Sequence, residues 1–328
     1  MRAMTPHQVS GAQLNSDGNA HGLQRSSRRD TPPTPHQLKL IDAGARISAA
    51  PPAGDDIAFT HAVLCQVGMP RSQIAEREFR RQSGSAWLKL QAGSIDEGAG
   101  EVEQPLPYGP IPRLALAWVS TYAKRFATRE IPIGETAAEF LRMLGMDDQG
   151  ARYTRLRQQM HALVACSVQI GYQGETISFH AVERFRTWHA ADGEKSRWPG
   201  VLWLSDGYYR TLADYAVPLD NRALQKLAGS ALALDTYCWL AHRLHRIEGR
   251  QVTLHWKSLR GQFGQEYQGK EGDKDFKRKF IPALQAALTV YPEARVEQVF
   301  GGLRLMPSPP PVSVTPRSVA NLPRERSA

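Results

Sequence analysis

"GKEGDKDFKRKFIPALQAALTVYPEA", residues 269–294, sets an apolar stripe against a row of cations. Phe276, Phe280, Leu284 and Leu288 recur at i, i+4, i+8 and i+12, so on a helix they form one stripe. Lys274, Lys277 and Arg278 recur at i, i+3 and i+4 on another side, with Lys279 beside them. Like charges at that spacing repel. A phosphate backbone removes that repulsion and adds counterion release. The spacing therefore predicts a helix with its stripe inward and its cations toward a polyanion. Pro282 lacks an N–H and crowds the carbonyl of Arg278, which predicts a kink or interruption there.

Working outward, the elements around this stretch occur twice. In the first copy a helix is expected over 111–126, a strand at "REIPI" (129–133) and a helix at "ETAAEFLRMLG" (135–145). A second helix follows at "ARYTRLRQQMHALVA" (151–165), then the strands "CSVQIGY" (166–172) and "ETISFHAVERF" (175–185) around Gly174. The second copy has a long helical region over 220–249, a strand at "RQVTLHW" (250–256) and a helix at "KSLRGQFG" (257–264). The helix of the opening stretch follows, then the strands "ARVEQVF" (294–300) and "GLRLMP" (302–307) around Gly301 and Gly302. Phe140 to Gly145 and Leu259 to Gly264 share the pattern apolar, three residues, apolar, Gly, and each glycine suits a left-handed helix end.

Helix, strand, helix, helix, hairpin is the order of a winged helix-turn-helix, whose second turn helix lies in the major groove. The expected fold class is α+β: two tandem winged helix-turn-helix domains with a small N-terminal strand extension and disordered tails. The strand extension is read at "FTHAVLCQV" (59–67) and "SAWLKLQAGS" (85–94). The expected boundaries are a disordered arm over 1–55, a first domain over 56–190, a connector strand and hairpin over 191–218, a second domain over 219–306, and a Pro/Arg-rich tail over 307–328. Both tails are poor in large apolar residues and cannot offset the entropy of ordering.

The first copy's second helix places Tyr153, Leu156, Met160 and Leu163 inward and leaves Arg152, Arg155, Gln158 and Gln159 elsewhere. Arg can fork guanine and Gln can fork adenine, whereas Lys mainly holds phosphate. The first copy is thus expected to read bases more than the second does. Arg80 and Arg81, near Gly84 in an expected inter-strand loop, are weaker candidates for phosphate contact.

The net charge of +9 agrees with a polyanionic partner. Cys65, Cys166 and Cys238 are far apart and form no C-x-x-C pair, which argues for free thiols in a reducing compartment, not for disulfides or a thiolate zinc site. The first residues lack an apolar signal core and no run is long enough to span a membrane, so a cytoplasmic protein is expected. "GQEYQGKE" (264–271) approaches a phosphate loop, but Glu271 replaces the magnesium-binding Ser/Thr and the loop follows a helix. His242, His245 and Glu248 lie one turn apart, yet arginines interleave and a solvated face is the better reading. Tyr208 and Tyr209 have no His-x-His strand for nicking chemistry beside them. No enzyme, cofactor or metal site is expected.

"LPYGPIPRLALAWVSTYA", "REIPIG", "FLRMLG", "RLRQQMHALVACSV" and "FKRKFIPALQAALTVYPEARVEQVFGGLRLMPSPPPV" resemble the plasmid-encoded RepA-type replication initiators. "MPRSQIAEREFRRQSGSAWLKLQAG" does so too, and the likeness spans about residues 57–312. The resemblance implies two winged-helix domains that bind direct repeats (iterons) in double-stranded plasmid origin DNA. It implies help in opening the duplex and the host replication initiator and helicase as partners. It also implies a homodimer that represses its own gene. On this chain the bets for DNA contact are the cationic and amide positions named above. Arg113, at a helix start beside prolines, is read as structural. The alternative reading is a winged-helix transcriptional repressor without an origin role.

Overall fold

Leu40, Ala43, Gly44 and Ile47 recur at helical spacing and are buried, which makes residues Pro35–Ala49 a helix, α1. The computed structural model describes residues 32–98, 100–172, 174–185 and 198–313. The expectation of an unstructured arm to residue 55 is therefore corrected over α1, while residues 1–31 lie outside the described residues. Gly44 is needed because a Cβ there would stand 2.1 Å from the carbonyl oxygen of Thr289.

Strand β1 (Ile57–His61) ends where His61 caps helix α2 (Ala62–Gln66), its Nδ1 accepting from the Val63 N–H at 3.2 Å. The expected strand over 59–67 is thus half helix. Strands β2 (Glu78–Ser83) and β3 (Ala86–Gln91) form a hairpin around Gly84, at φ 59°. Strands β4 (Ser94–Asp96) and β5 (Glu101–Glu103) pair with each other.

Helix α3 (Pro110–Phe126) begins at Gly109, whose φ of 78° only glycine adopts readily, with Pro110 and Pro112 in its first turn. Then come β6 (Glu130–Pro132), α4 (Ala137–Met143), α5 (Arg152–Ala165), β7 (Ser167–Tyr172), β8 (Glu175–His180) and β9 (Val182–Phe185). Thr136 caps α4 by accepting from the Glu139 N–H. The expected single strand over 175–185 breaks at Ala181 and feeds two sheets. β7 and β8 do not close the first copy; they extend the first hairpin into a four-stranded sheet, β2-β3-β7-β8.

The strand that closes the copy is β10 (Val201–Leu204), in a three-stranded antiparallel sheet of order β6-β10-β9. It lies inside the span expected to be a connector. Among the described residues, the remainder of that span is a helix and a strand: α6 (Asp206–Tyr215) and β11 (Ala216–Asp220), which pairs with β1. Tyr208 is buried in α6, its hydroxyl 2.7 Å from Ser120 Oγ.

The second copy's long helical region is two helices, α7 (Asn221–Lys226) and α8 (Ala231–Arg243). Ser230 restarts the helix by accepting from the Ala233 N–H at 3.2 Å. Strand β12 (Val252–His255), helices α9 (Trp256–Phe263) and α10 (Gly272–Thr289), and strands β13 (Val296–Val299) and β14 (Gly302–Leu305) complete it. Its sheet has the order β12-β14-β13, again first, third, second. α10 passes through Pro282 without interruption, so of the kink or interruption expected there the interruption is corrected. Gly145 has the expected left-handed φ, 71°. Gly264 does not; a Cβ there would lie 2.4 Å from the Phe276 ring. That glycine serves close approach.

The fold is mixed α+β, and from Pro35 onward the chain packs as one compact unit. Ile131, Phe140 and Leu156 of the first copy share one continuous core with Trp239, Phe276 and Phe280 of the second. Residues 307–313 are also held to the fold: Val312 is buried and the Tyr291 hydroxyl donates to the Pro309 carbonyl at 2.6 Å. Residues 314–328 of the expected tail lie outside the described residues. Cys65 and Cys166 are buried free thiols and Cys238 is half-buried.

One buried node ties the copies together. Arg113 of α3 donates from Nε to Asp235 Oδ1 at 2.6 Å and from Nη2 to Oδ2 at 2.9 Å. It also donates to the carbonyls of Met69, Pro70 and Gly109. All five guanidinium hydrogens thus have acceptors. Burial alone would raise the Asp235 carboxyl, but Arg113 and Arg71 outweigh it and hold the group below its ordinary range. Replacing Arg113 by Ala leaves that carboxylate with Arg71 alone, at 3.2 Å, at a cost of up to about 3–5 kcal/mol. Urea unfolding of Arg113→Ala against the parent measures it, and Arg113→Lys recovers only part because a point charge cannot make the fork.

His61 gives a pH signature. Desolvation lowers its imidazole from 6.5 to about 4. The unfolded chain therefore takes up that proton first as pH falls. The stabilisation is complete above 6.5 and is lost from there down toward 4. Between pH 7 and pH 5 this residue should cost the fold about 2 kcal/mol, read from urea midpoints. His61→Asn, which keeps a capping acceptor, should show a shallower fall.

Candidate nucleic-acid interface

Helix α10 takes its pose from its apolar side: Phe276, Phe280, Ala283, Leu284 and Ala287 are buried, and Leu288 is half-buried. Asp273 and Asp275 sit in its first turn, favourable against the positive end of the helix dipole. Arg260 of α9 reaches Asp273 at 3.0 Å and fixes the angle between the two helices. Lys274 and Arg278, one turn apart, are left on the outer side with Gln285, all exposed.

These cations are not free of carboxylates. Lys274 pairs with Glu271 at 3.0 Å and Arg278 with Asp275 at 2.9 Å, both i, i+3 on the surface. Such exposed pairs contribute about 0–1 kcal/mol, so a phosphate can displace them. Lys277 lies on the flank, its Nζ 5.2 Å from the centre of the Trp256 ring. Lys279 is exposed on the other flank, with no ion pair among the described residues. All four cations named from the sequence therefore stay at the surface, but on three sides of the helix.

Helix α5 is less basic than its spacing suggested. Arg155 and Gln158 are exposed on a common side. Arg152 is half-exposed and engages Asp147 in the preceding turn. Gln159 is corrected outright: it is 4% exposed, and its Oε1 accepts from the Tyr108 N–H at 2.7 Å. Tyr153, expected in the inward stripe, is instead exposed.

Arg80 and Arg81 lie on β2, not in a loop, and strand alternation sends them to opposite faces. Arg80 is exposed, its guanidinium 5.8 Å from the Trp87 ring centre. Arg81 is 3% exposed and pairs with Glu266 at 3.2 Å, so it cannot hold a phosphate. Burial and the neighbouring Arg71 lower its guanidinium to about 10. Glu266, in the turn between α9 and α10, also pairs with Arg71 at 2.6 Å, and Arg71 reaches Asp235 at 3.2 Å. The near-phosphate loop over 264–271 is therefore that turn, held by an inward carboxylate. Gln285 is a surface residue the sequence reading missed; its distance from Lys274 and Arg278, eleven and seven residues, is the signal that would have found it.

Residues 106–257 match the family model described as "Plasmid encoded RepA protein". Among solved structures, a crystal structure of selenomethionine derivatives of domains 2 and 3 of RctB is similar, at 12% identity and a TM-score of 0.45, covering 75% of this chain and 96% of that one. A second, of RctB domains 2-3, has 10% identity and a TM-score of 0.42 and covers 74% and 94%. No curated protein matches.

Removing Lys277 and Arg278 together by Ala should weaken DNA binding on every sequence and reduce the log-affinity against log-salt slope by about one to two. Arg155→Ala should instead relax preference at particular bases, by about 1–3 kcal/mol where it forks a guanine. Titration of selected and random duplexes over a salt series separates the two outcomes.

Proposed function

We propose, because residues 106–257 match the family model described as "Plasmid encoded RepA protein", that the chain is a plasmid replication initiator acting on origin DNA through two winged-helix units. The observation that carries the DNA-binding part is the repeated architecture. Each copy has a helix, a strand, two helices joined by a turn, and a three-stranded sheet in the order first, third, second: β6-β10-β9 and β12-β14-β13. In this reading α5 and α10 are the groove helices and β9–β10 and β13–β14 are the wings.

α10 holds phosphate through Lys274, Lys277, Arg278 and Lys279, and α5 reads bases through Arg155 and Gln158. The two faces differ, so the reading head is asymmetric and suits directly repeated sites. The protein opens the neighbouring duplex, gathers the host initiator and helicase, and works in the cytoplasm without catalytic chemistry or a cofactor of its own. A homodimer serves as a second state. Among the described residues no helix is long and apolar enough to cross a membrane.

The test uses a supercoiled plasmid carrying the DNA that flanks this gene. An initiator renders thymines in an AT-rich stretch reactive to permanganate. A repressor protects its site and nothing more, and magnesium-dependent nicking would place the protein among enzymes.

A further inference from the structure

Phe300 is fully exposed, at 106% of its reference area, at the apex of the β13–β14 hairpin. Resting on the DNA-binding reading, we propose that Phe300 is a wedge: when α10 docks, the ring enters the base stack of the duplex and unstacks a step there.

Turn chemistry does not ask for an aromatic here. Val299 pairs with Gly302, so Phe300 and Gly301 are the entire loop, and Gly301 supplies the positive φ, 85°. Phe300 itself has no positive φ, so the first loop position asks for no particular side chain. The apex is stiff: Leu303 and Leu305 are buried behind it, and a Cβ at Gly302 would stand 1.9 Å from the Leu254 carbonyl oxygen.

The ring is also continuous with the basic helix. The Gly301 carbonyl accepts from the Trp256 N–H at 3.0 Å, and the Trp256 side chain carries Lys277 over its ring. A phosphate at Lys277 therefore brings the duplex to the hairpin. A protein-binding surface would need a patch, and the apex has none. Gln298 and His255 beside it are exposed and polar, and no other large apolar residue of the hairpin is exposed among the described residues. One isolated aromatic on a rigid ribbon matches the apolar wedges that part base steps.

The experiment uses the full-length chain and a duplex that the unmodified protein selects from a random pool, with 2-aminopurine placed at successive steps. The expected result is a fluorescence rise at one step with the parent. Phe300→Ala keeps the footprint and loses the rise; Phe300→Trp restores it, with the indole emission quenched on binding. Because the side chain touches nothing in the fold, both variants should unfold in urea as the parent does. An equal rise with Phe300→Ala overturns the wedge and leaves DNA binding standing. If the parent selects no duplex, the DNA-binding reading itself fails and takes the wedge with it. Loss of self-association in Phe300→Ala, without loss of the rise, reassigns the ring to a second copy.

Discussion

Asp235 lies on α8, the long helix of the second copy, and its two oxygens take the guanidinium of Arg113 from α3, the long helix of the first. Arg71 adds a further contact at 3.2 Å and carries the network through Glu266 to Arg81 of β2. An ion network this buried adds little net stability, because each charge gives up its water. Its consequence is geometric. A planar fork with five acceptors in fixed directions admits one relative pose of α3, α8 and the 68–71 loop. The "PYGPIPR" run (107–113) builds that pose almost alone. Tyr108 donates its N–H to Gln159, Gly109 turns the chain with positive φ, Pro110 starts the helix, and Arg113 closes on Asp235.

Gln159 and Arg81 show how a site reading from sequence fails at the scale of a single residue. Gln158 and Gln159 are a 100° step apart on a helix, and that step separates an exposed amide from one that holds a backbone N–H. Arg80 and Arg81 differ by one step of strand alternation, one outward and one in the ion network. Charge counts cannot see either distinction. The apolar stripe of α10 was legible because it is local: spacing alone decides it. The strand at β10 was legible only as part of a connector; its place in the first copy's sheet was not, because its partners β6 and β9 come from residues 130–132 and 182–185, and pairing across such separations depends on the whole sheet. α1 was hidden by averaging. Four residues at helical spacing are enough to bury one side, even between segments rich in proline and serine.

The acids of α10 change how its charge works. Glu271 and Asp275 sit three residues before Lys274 and Arg278, so the free helix avoids the repulsion that four cations would generate alone. The pairs are solvent-facing and cheap to break. In the proposed complex a phosphate would replace a carboxylate, with little loss of existing bonding and a gain from counterion release. α5 carries Arg152, Arg155 and Arg157 and no acid of its own, so it has no such internal pairs; Arg152 is held by Asp147, Arg157 is half-buried, and Arg155 and Gln158 are exposed on a common side.

Taken together, these constraints bear on what kind of DNA site the chain would accept. Two readers joined by a flexible linker tolerate variable spacing, because the linker absorbs it. Here the first copy and the second share one core and one buried ion network, so the distance and rotation between α5 and α10 are set by the fold. The two helices also differ in what they present. A rigid head with unlike ends has no two-fold axis, so a palindrome could satisfy only one end per half-site. A site read by such a head must carry two unlike segments at one spacing, always in the same direction. Under the proposed function, an array of such sites would be an array of direct repeats, on which each added copy of the protein would lie in the same orientation as the last.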